Sequence, residues 1–278
     1  MANGTSSRES REITARARGV ASEALRKAGE RLRGRTWSGL AEPHTVNTKG
    51  FNDFVTDLDR DVEEVIRGVI EPAFPDHGIT GEELGTSRPD SEHTWYVDPV
   101  DGTRNLVAER PEVAVSLALY RGEAPLVAAL SLPARGIEML WDGDGVEIRP
   151  LAGRGEPSRS SWRLSESLVG LPGDFRPDVD PPRLARFIGA LAGRVGGVRV
   201  TGSLAYDLGC IVLGELAARL STSPKPVDVA AGAVLVERAG GVVTDLAGER
   251  WSPGCGSLLA AATPELHAEL LEVISGTS

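Results

Sequence analysis

The chain has 278 residues, 41% hydrophobic and 25% charged, with a formal net charge of −10 and a pI of about 5.0. This is ordinary globular composition, long enough for a large core in one domain or two lobes. The acidic balance argues against general nucleic-acid binding, so an anionic substrate would need metal ions or a local basic patch.

In chain order, residues 1 to about 9 are polar and expected to be disordered. From Glu12 to Leu32, Ile13, Val20, Ala24, Leu25, Ala28 and Leu32 can share one helical face, with arginines on the other. Thr36 to Thr56 is loop-like. Leu58, Val62, Val65, Ile66, Val69 and Ile70 then predict a helix ended by Pro72. Asp57 and Asp59 stand at its start, where carboxylates favour the positive end of the helix dipole. Gly78 to Gly81 offers a short strand ending in Glu82 and Glu83.

Trp95, Tyr96 and Val97 read as the end of a buried strand, with a sharp break at Asp98-Pro99. If the chain turns at Pro99, Asp98 and Asp101 converge, and Val100 can add its carbonyl. Hard oxygen ligands suit Mg²⁺ better than zinc. Gly102 and Thr103 add N–H groups and a hydroxyl suited to a phosphate oxygen or an attacking water. The alternative for Asp98 is a helix cap.

Strands are expected over 113–120, 126–132, 136–141 and 146–148. The Asp142-Gly-Asp-Gly stretch reads as a hairpin turn, because it lacks the remaining ligands of a calcium loop. Residues 151–181, rich in Pro, Gly, Ser and Arg, are expected to connect two lobes. The expected divisions are a tail and helix over 1–35, an α+β lobe over 36–150, and an α/β lobe over 182–278. In the last lobe, Pro181-Pro182 starts a helix, Gly202-Ser203 opens another, and Asp228 stands where an N-cap belongs. Val198–Thr201, Ala217–Thr222, Val242–Asp245 and Leu258–Ala262 read as strands, and Thr263-Pro264 caps a terminal helix.

Two separated cysteines, Cys210 and Cys255, argue against a disulfide framework, and four scattered histidines make no HExxH pair. No apolar run reaches membrane-spanning length, and the polar N-terminus lacks a signal-peptide core. A cytoplasmic location follows as the expectation.

Glu82, the Asp98-x-x-Asp101-Gly-Thr103 string and Asp228 at a helix start form one pattern. With Gly81-Glu82-Glu83, Trp95-Tyr-Val-Asp-Pro-Val-Asp-Gly-Thr103 followed by Asn105, Gly202-Ser203, and Val227-Asp-Val-Ala-Ala-Gly before Ala239-Gly-Gly, it resembles the inositol monophosphatase family. That family comprises Mg²⁺-dependent, lithium-sensitive phosphatases. The resemblance runs from about Lys49 to Ala262. It implies an α+β fold, a layered αβαβα sandwich, and a homodimer that acts on a small-molecule phosphate ester, while the acidic charge and the lack of a spanning apolar run argue against nucleic acid and membrane as partners.

Residue by residue, the resemblance makes Glu82, Asp98, Asp101, Asp228 and the Val100 carbonyl metal ligands. Thr103 with Asp59 would orient and deprotonate a water, with Glu82 a further catalytic residue. Val100, Gly102, Thr103, Gly202, Ser203 and Asp228 would line the substrate, the Gly102 and Thr103 amides on the phosphate. Lys49 and Asp53 match a loop approaching the metals. The physics agrees: Mg²⁺ can neutralise a phosphate dianion that repels hydroxide, and four converging carboxylates repel one another without cations.

The pattern departs at Ser221, where inositol-specific members carry an acidic residue, and at Val227, where a Trp is usual. Near Ala108-Glu109-Arg110 a His-Gly pair is replaced. Val227 is similar to archaeal-type members that also hydrolyse fructose 1,6-bisphosphate, and Lys225-Pro226-x-Asp228 is similar to the histidinol-phosphate phosphatase branch. 3′-Phosphoadenosine 5′-phosphate or a bisphosphorylated sugar is a further alternative substrate. Arg104, Arg199 and Lys225 are candidate contacts for a second anion. The non-enzyme alternative is a pseudophosphatase that binds a metabolite or a partner.

Overall fold

The computed structural model describes residues 3–35, 46–50, 53–150, 162–173 and 181–275. Helix α1 (Asn3–Arg35) precedes a small hairpin, β1 (Val46–Gly50) and β2 (Asp53–Thr56), and helix α2 (Asp57–Ala73). Then come β3 (Gly78–Gly81), β4 (Gly85–Ser87), β5 (His93–Asp101) and the short helix α3 (Thr103–Val107). The first large sheet is completed by β6 (Ala114–Arg121), β7 (Ala124–Leu132), β8 (Ile137–Trp141) and β9 (Glu147–Pro150). The second half holds β10 (Leu168–Gly170), α4 (Pro181–Leu191), β11 (Gly197–Arg199), α5 (Leu204–Val212), β12 (Ala218–Ser221), α6 (Pro226–Arg238), β13 (Val242–Thr244), β14 (Leu258–Ala261) and α7 (Pro264–Ser275).

The first sheet runs β4-β3-β5-β6-β7-β8-β9, with only β3 and β5 parallel. The second runs β11-β10-β12-β14-β13, with β10 parallel to both its neighbours. Three apolar clusters stack these elements into an αβαβα sandwich. On α2, Leu58, Val62, Ile66 and Ile70 recur every four residues and are fully buried with α1 against one face of the first sheet. Burial of each such side chain stabilises by about 1.5–3 kcal/mol. α5 and α6 fill the space between the sheets, and α4 and α7 cover the second sheet's outer face.

Strand β6 shows why its run reads as unbroken apolar sequence. Val115, Leu117 and Leu119 point to the α1/α2 layer, while Ala114, Ala118 and Tyr120 point to α6. Both faces are covered, so alternation of side shows as alternation of size rather than of polarity. The small residues let α6 approach, and Ser116 and Tyr120 donate hydrogen bonds to the Val227 and Ala230 carbonyls, both 3.1 Å. This fixes the first turn of α6.

Several expectations change. α1 begins at Asn3, so the segment expected to be disordered is helical from Asn3 on, against the weak helix propensity of its Asn, Gly, Thr and Ser. The 36–56 loop contains the β1–β2 hairpin. Pro72 lies inside α2, which ends one residue later at Ala73, rather than ending it. β10 lies in the stretch expected as a connection: it is only three residues long and too short to carry a period. Asp228 is not the N-cap. Lys225 caps α6 and Pro226 takes the first helical position, for which its fixed φ is suited. Among the described residues no helix is long and apolar enough to cross a membrane.

Candidate active site

The chain does not leave the sheet at Pro99. β5 continues to Asp101, but Asp98 faces Ser116 and Asp101 faces Ala114, so β5 carries one extra residue there. That is a β-bulge, and Pro99, with no N–H to offer the ladder, sits within it. The bulge re-aims the two carboxylates. Asp98 Oδ1 accepts the Val100 N–H at 3.0 Å. Its Oδ2 is buried with no hydrogen-bond partner.

Glu82 enters from the turn after β3, where its N–H donates to the Val97 carbonyl at 3.2 Å. Asp228 enters from the first turn of α6. One oxygen from each of Glu82, Asp98 and Asp228 lies within 4.8 Å of the others. Burial, then the neighbouring carboxylates, push the Asp98 carboxyl well above its ordinary range. Asp228 is raised for the same reasons, partly offset by the Lys225 charge. Carboxylates gathered like this are poised for a cation rather than for stability.

Asp101 lies beside this group but is engaged differently. Its Oδ2 accepts the Ser203 hydroxyl at 2.8 Å and the Ala205 N–H. Burial raises its pKa to about 7, against the lowering effect of those two hydrogen bonds. Ser203, the N-cap of α5, also donates to the Asp101 carbonyl at 3.1 Å. Gly102 allows this closeness: its φ is +101°, and a Cβ there would lie 2.8 Å from the Glu112 carbonyl oxygen. Asn105 Nδ2 ties the two loops together by donating to the Glu112 and Thr201 carbonyls. Gly202 takes a φ of +81° in the turn before Ser203.

Thr103 opens α3 and its hydroxyl donates to Asp59 Oδ1 at 2.7 Å. The Val100 carbonyl lies 3.3 Å from the same hydroxyl. Asp59 Oδ2 accepts the Thr56 N–H at 2.9 Å and the Thr56 hydroxyl, so Asp59 also closes a capping box at the start of α2. Burial raises its proton affinity despite these donors. A hydrogen-bonded Thr–Asp pair, its aspartate buried, beside a carboxylate cluster can orient a water and take its proton.

Glu82, Asp98 and Asp228 therefore meet. Asp101, Val100, Gly102 and Thr103 flank them, and Ser203 grips Asp101. The side chains of Lys49 and Asp53 lie outside the described residues. Every donor is an oxygen, and Asp98 Oδ2 is a buried acceptor without a donor, a set that fits a hard divalent cation.

Sequence reasoning missed Glu63. Fully buried on α2, it pairs with Arg67 at 2.8 Å and accepts the Glu83 and Leu84 N–H groups at 2.7 and 3.2 Å. It thereby anchors the turn that carries Glu82. Its i,i+4 spacing to Arg67 was a visible signal, but such pairs usually lie on exposed faces. Gly81 makes room, since a Cβ there would lie 1.9 Å from Glu63 Oε1.

The family model described as the inositol monophosphatase family matches residues 14–277. Over 243 residues the chain is 32% identical to the fructose-1,6-bisphosphatase/inositol-1-monophosphatase of Aquifex aeolicus (strain VF5), covering 84% of this chain and 87% of that protein. It is 31% identical over 261 residues to a putative Nus factor SuhB of Neisseria meningitidis serogroup B (strain ATCC BAA-335 / MC58), covering 92% and 97%. Among solved structures, the extragenic suppressor protein suhB from Bartonella henselae matches with a TM-score of 0.82 at 26% identity, over 92% of this chain and 97% of that one.

Proposed function

The chain belongs to the inositol monophosphatase family, and from that footing we propose that it is a Mg²⁺-dependent phosphatase of a small phosphate monoester. The convergence of Glu82, Asp98 and Asp228 carries this reading, with an Asp98 oxygen that is buried and lacks a donor. These three would hold the cation, with Asp101 and the Val100 carbonyl as further ligands. When bound, Mg²⁺ would neutralise the substrate dianion and lower the pKa of the attacking water.

The chain's own residues supply the rest. Thr103 donates its proton to Asp59, so its oxygen keeps lone pairs free to accept a proton from a water. As that water attacks phosphorus, its proton passes to Thr103 while the threonine proton shifts to Asp59. The P–O ester bond breaks, and the leaving oxygen takes up a proton from solvent. The Gly102 and Thr103 amides are assigned to a phosphate oxygen. Ser221 and Val227 are buried and uncharged, leaving no carboxylate at either position to select a polyol. Inositol specificity is therefore not part of the reading, and the substrate class we assign is the wider one of small polyol, sugar or amino-alcohol phosphates, handled by a cytoplasmic homodimer.

The test is phosphate release with Mg²⁺ from myo-inositol 1-phosphate, fructose 1,6-bisphosphate, histidinol phosphate, 3′-phosphoadenosine 5′-phosphate and glycerol 2-phosphate. Turnover should require Mg²⁺ and vanish in Asp98→Asn. A folded, Mg²⁺-binding protein inactive on all five would sink the reading for these substrates. The name of the Neisseria relative favours a second reading, action as a Nus factor. Function retained in cells by an inactive Asp98→Asn variant would favour that role over catalysis.

A further inference from the structure

The carboxylate cluster already meets a cation supplied by the chain. Lys225 Nζ lies 2.7 Å from Glu82 Oε1, an ion pair between residues 143 positions apart in sequence. Its backbone is held as the N-cap of α6, and its carbonyl accepts the Asp228 N–H at 3.2 Å. Pro226 and the hydrogen bonds from Ser116 and Tyr120 fix the turn that follows. The root of the side chain is thus rigid and close to Asp228, while the side chain as a whole is partly exposed, at 39%. An ammonium is a compact, strongly hydrated charge on a flexible stem. It can leave Glu82 for solvent without disturbing α6.

Glu82 belongs to the three-carboxylate group whose oxygens could jointly hold a metal. The ammonium and a divalent cation therefore seek the same carboxylate. We propose that Lys225 is an internal counter-cation: it holds Glu82 in the metal-free protein, gives it up when a divalent cation binds, and so sets the metal affinity of the site. This rests on the metal-dependent reading above. The arrangement would hold the turn after β3 in place before metal arrives, at the expense of a weaker grip on the ion. Lys225 acts through Glu82 and is a positioning residue, not a catalytic one.

The experiment is Mg²⁺ titration by calorimetry on wild type, Lys225→Met, Lys225→Gln and Lys225→Arg, with Asp98→Asn as control. Thermal midpoints are measured with and without Mg²⁺. Lys225→Met and Lys225→Gln remove the charge and should bind Mg²⁺ about tenfold more tightly, the scale of a unit charge a few ångströms from a divalent ion under strong screening. Their metal-free midpoints should fall, and the rise on adding Mg²⁺ should grow. Lys225→Arg keeps the charge and should stay near wild type. Unchanged or weaker Mg²⁺ binding in both neutral variants, with wild-type binding intact and lost in Asp98→Asn, would overturn the counter-cation role alone. Absence of Mg²⁺ binding in wild type would overturn the metal-dependent reading and this one together.

Discussion

Two groups of carboxylates stand on either side of the Thr201–Ser203 turn, and they are built on opposite terms. Asp207 on α5 is 1% exposed and pairs with Arg219 on β12 at 2.7 Å, and its other oxygen accepts the Thr201 hydroxyl at 2.8 Å. Glu63 with Arg67 is a second case of the same kind. Asp98, Asp101 and Asp228 face mainly one another and Glu82, with Lys225 at the rim. Burial raises Asp207 only to about 6, because Arg219 and Thr201 oppose the shift, while Asp98 and Asp228 are driven well above the ordinary range. A carboxylate that folding supplies with a cation fixes structure. One grouped with other carboxylates stores repulsion that a bound cation can relieve.

The contrast can be broken most sharply at Asp98. Asp98→Asn should lower turnover by about a thousandfold or more, since loss of a metal ligand removes several kcal/mol of transition-state stabilisation. The same change should leave the metal-free melting temperature equal or higher, because it deletes a repelling charge. A clear fall in that midpoint would place Asp98 with the structural carboxylates. Arg219→Met should do the reverse, costing about 3–5 kcal/mol in denaturant unfolding by stranding Asp207 as an uncompensated buried charge.

A smaller effect lies at the hinge between the two groups. Ser203→Ala removes the hydroxyl that holds Asp101 Oδ2 and should weaken Mg²⁺ binding about tenfold, as loss of a ligand's supporting hydrogen bond generally does. Calorimetry is the check, and unchanged affinity would mean Asp101 is positioned by other contacts.

The gentlest test is pH. Asp98, Asp101 and Asp228 bind protons more tightly folded than unfolded, so the metal-free fold holds extra protons above about pH 4. Their contribution to stability must then fall as pH rises from the unfolded carboxylate value of 3.8 through about 7, where Asp101 titrates. His77 works against this trend. Burial, then the charge of the stacked His93, lower its pKa from 6.5 to about 4. Its contribution is present above pH 6.5 and lost as pH falls toward 4. Melting curves of metal-free protein should decline more steeply with rising pH in His77→Gln than in wild type. Saturating Mg²⁺ should flatten the carboxylate part, and an identical slope with and without metal would contradict it.

Much of this was legible in the chain. The spacing of Leu58, Val62, Ile66 and Ile70 specified α2 because a helix repeats near four residues and the face is continuous. The Asp98-to-Thr103 string, Glu82 and Asp228 were legible because together they match a family pattern written in local spacing, and folding brings Glu82, Asp98 and Asp228 together. Less legible was anything set by partners far away in sequence. The bulge at Asp98–Asp101 depends on its register against β6, and no local pattern announces it. The three-residue strands β4, β10 and β11 are too short to show a period.

By itself, then, the sequence determined the elements with long apolar periods, the acidic residue set and the family pattern, since each is written in spacing along the chain. Tertiary structure alone decided which carboxylates receive a cation. Glu63 and Asp207 are acidic residues on helices, no different in local sequence from surface charges, yet packing buries them against Arg67 and Arg219. Asp98 is buried just as firmly without such a partner of its own, and Lys225 meets Glu82 from 143 positions away in sequence. Electrostatic environment is a property of distances in space, and folding sets those distances only when remote segments meet.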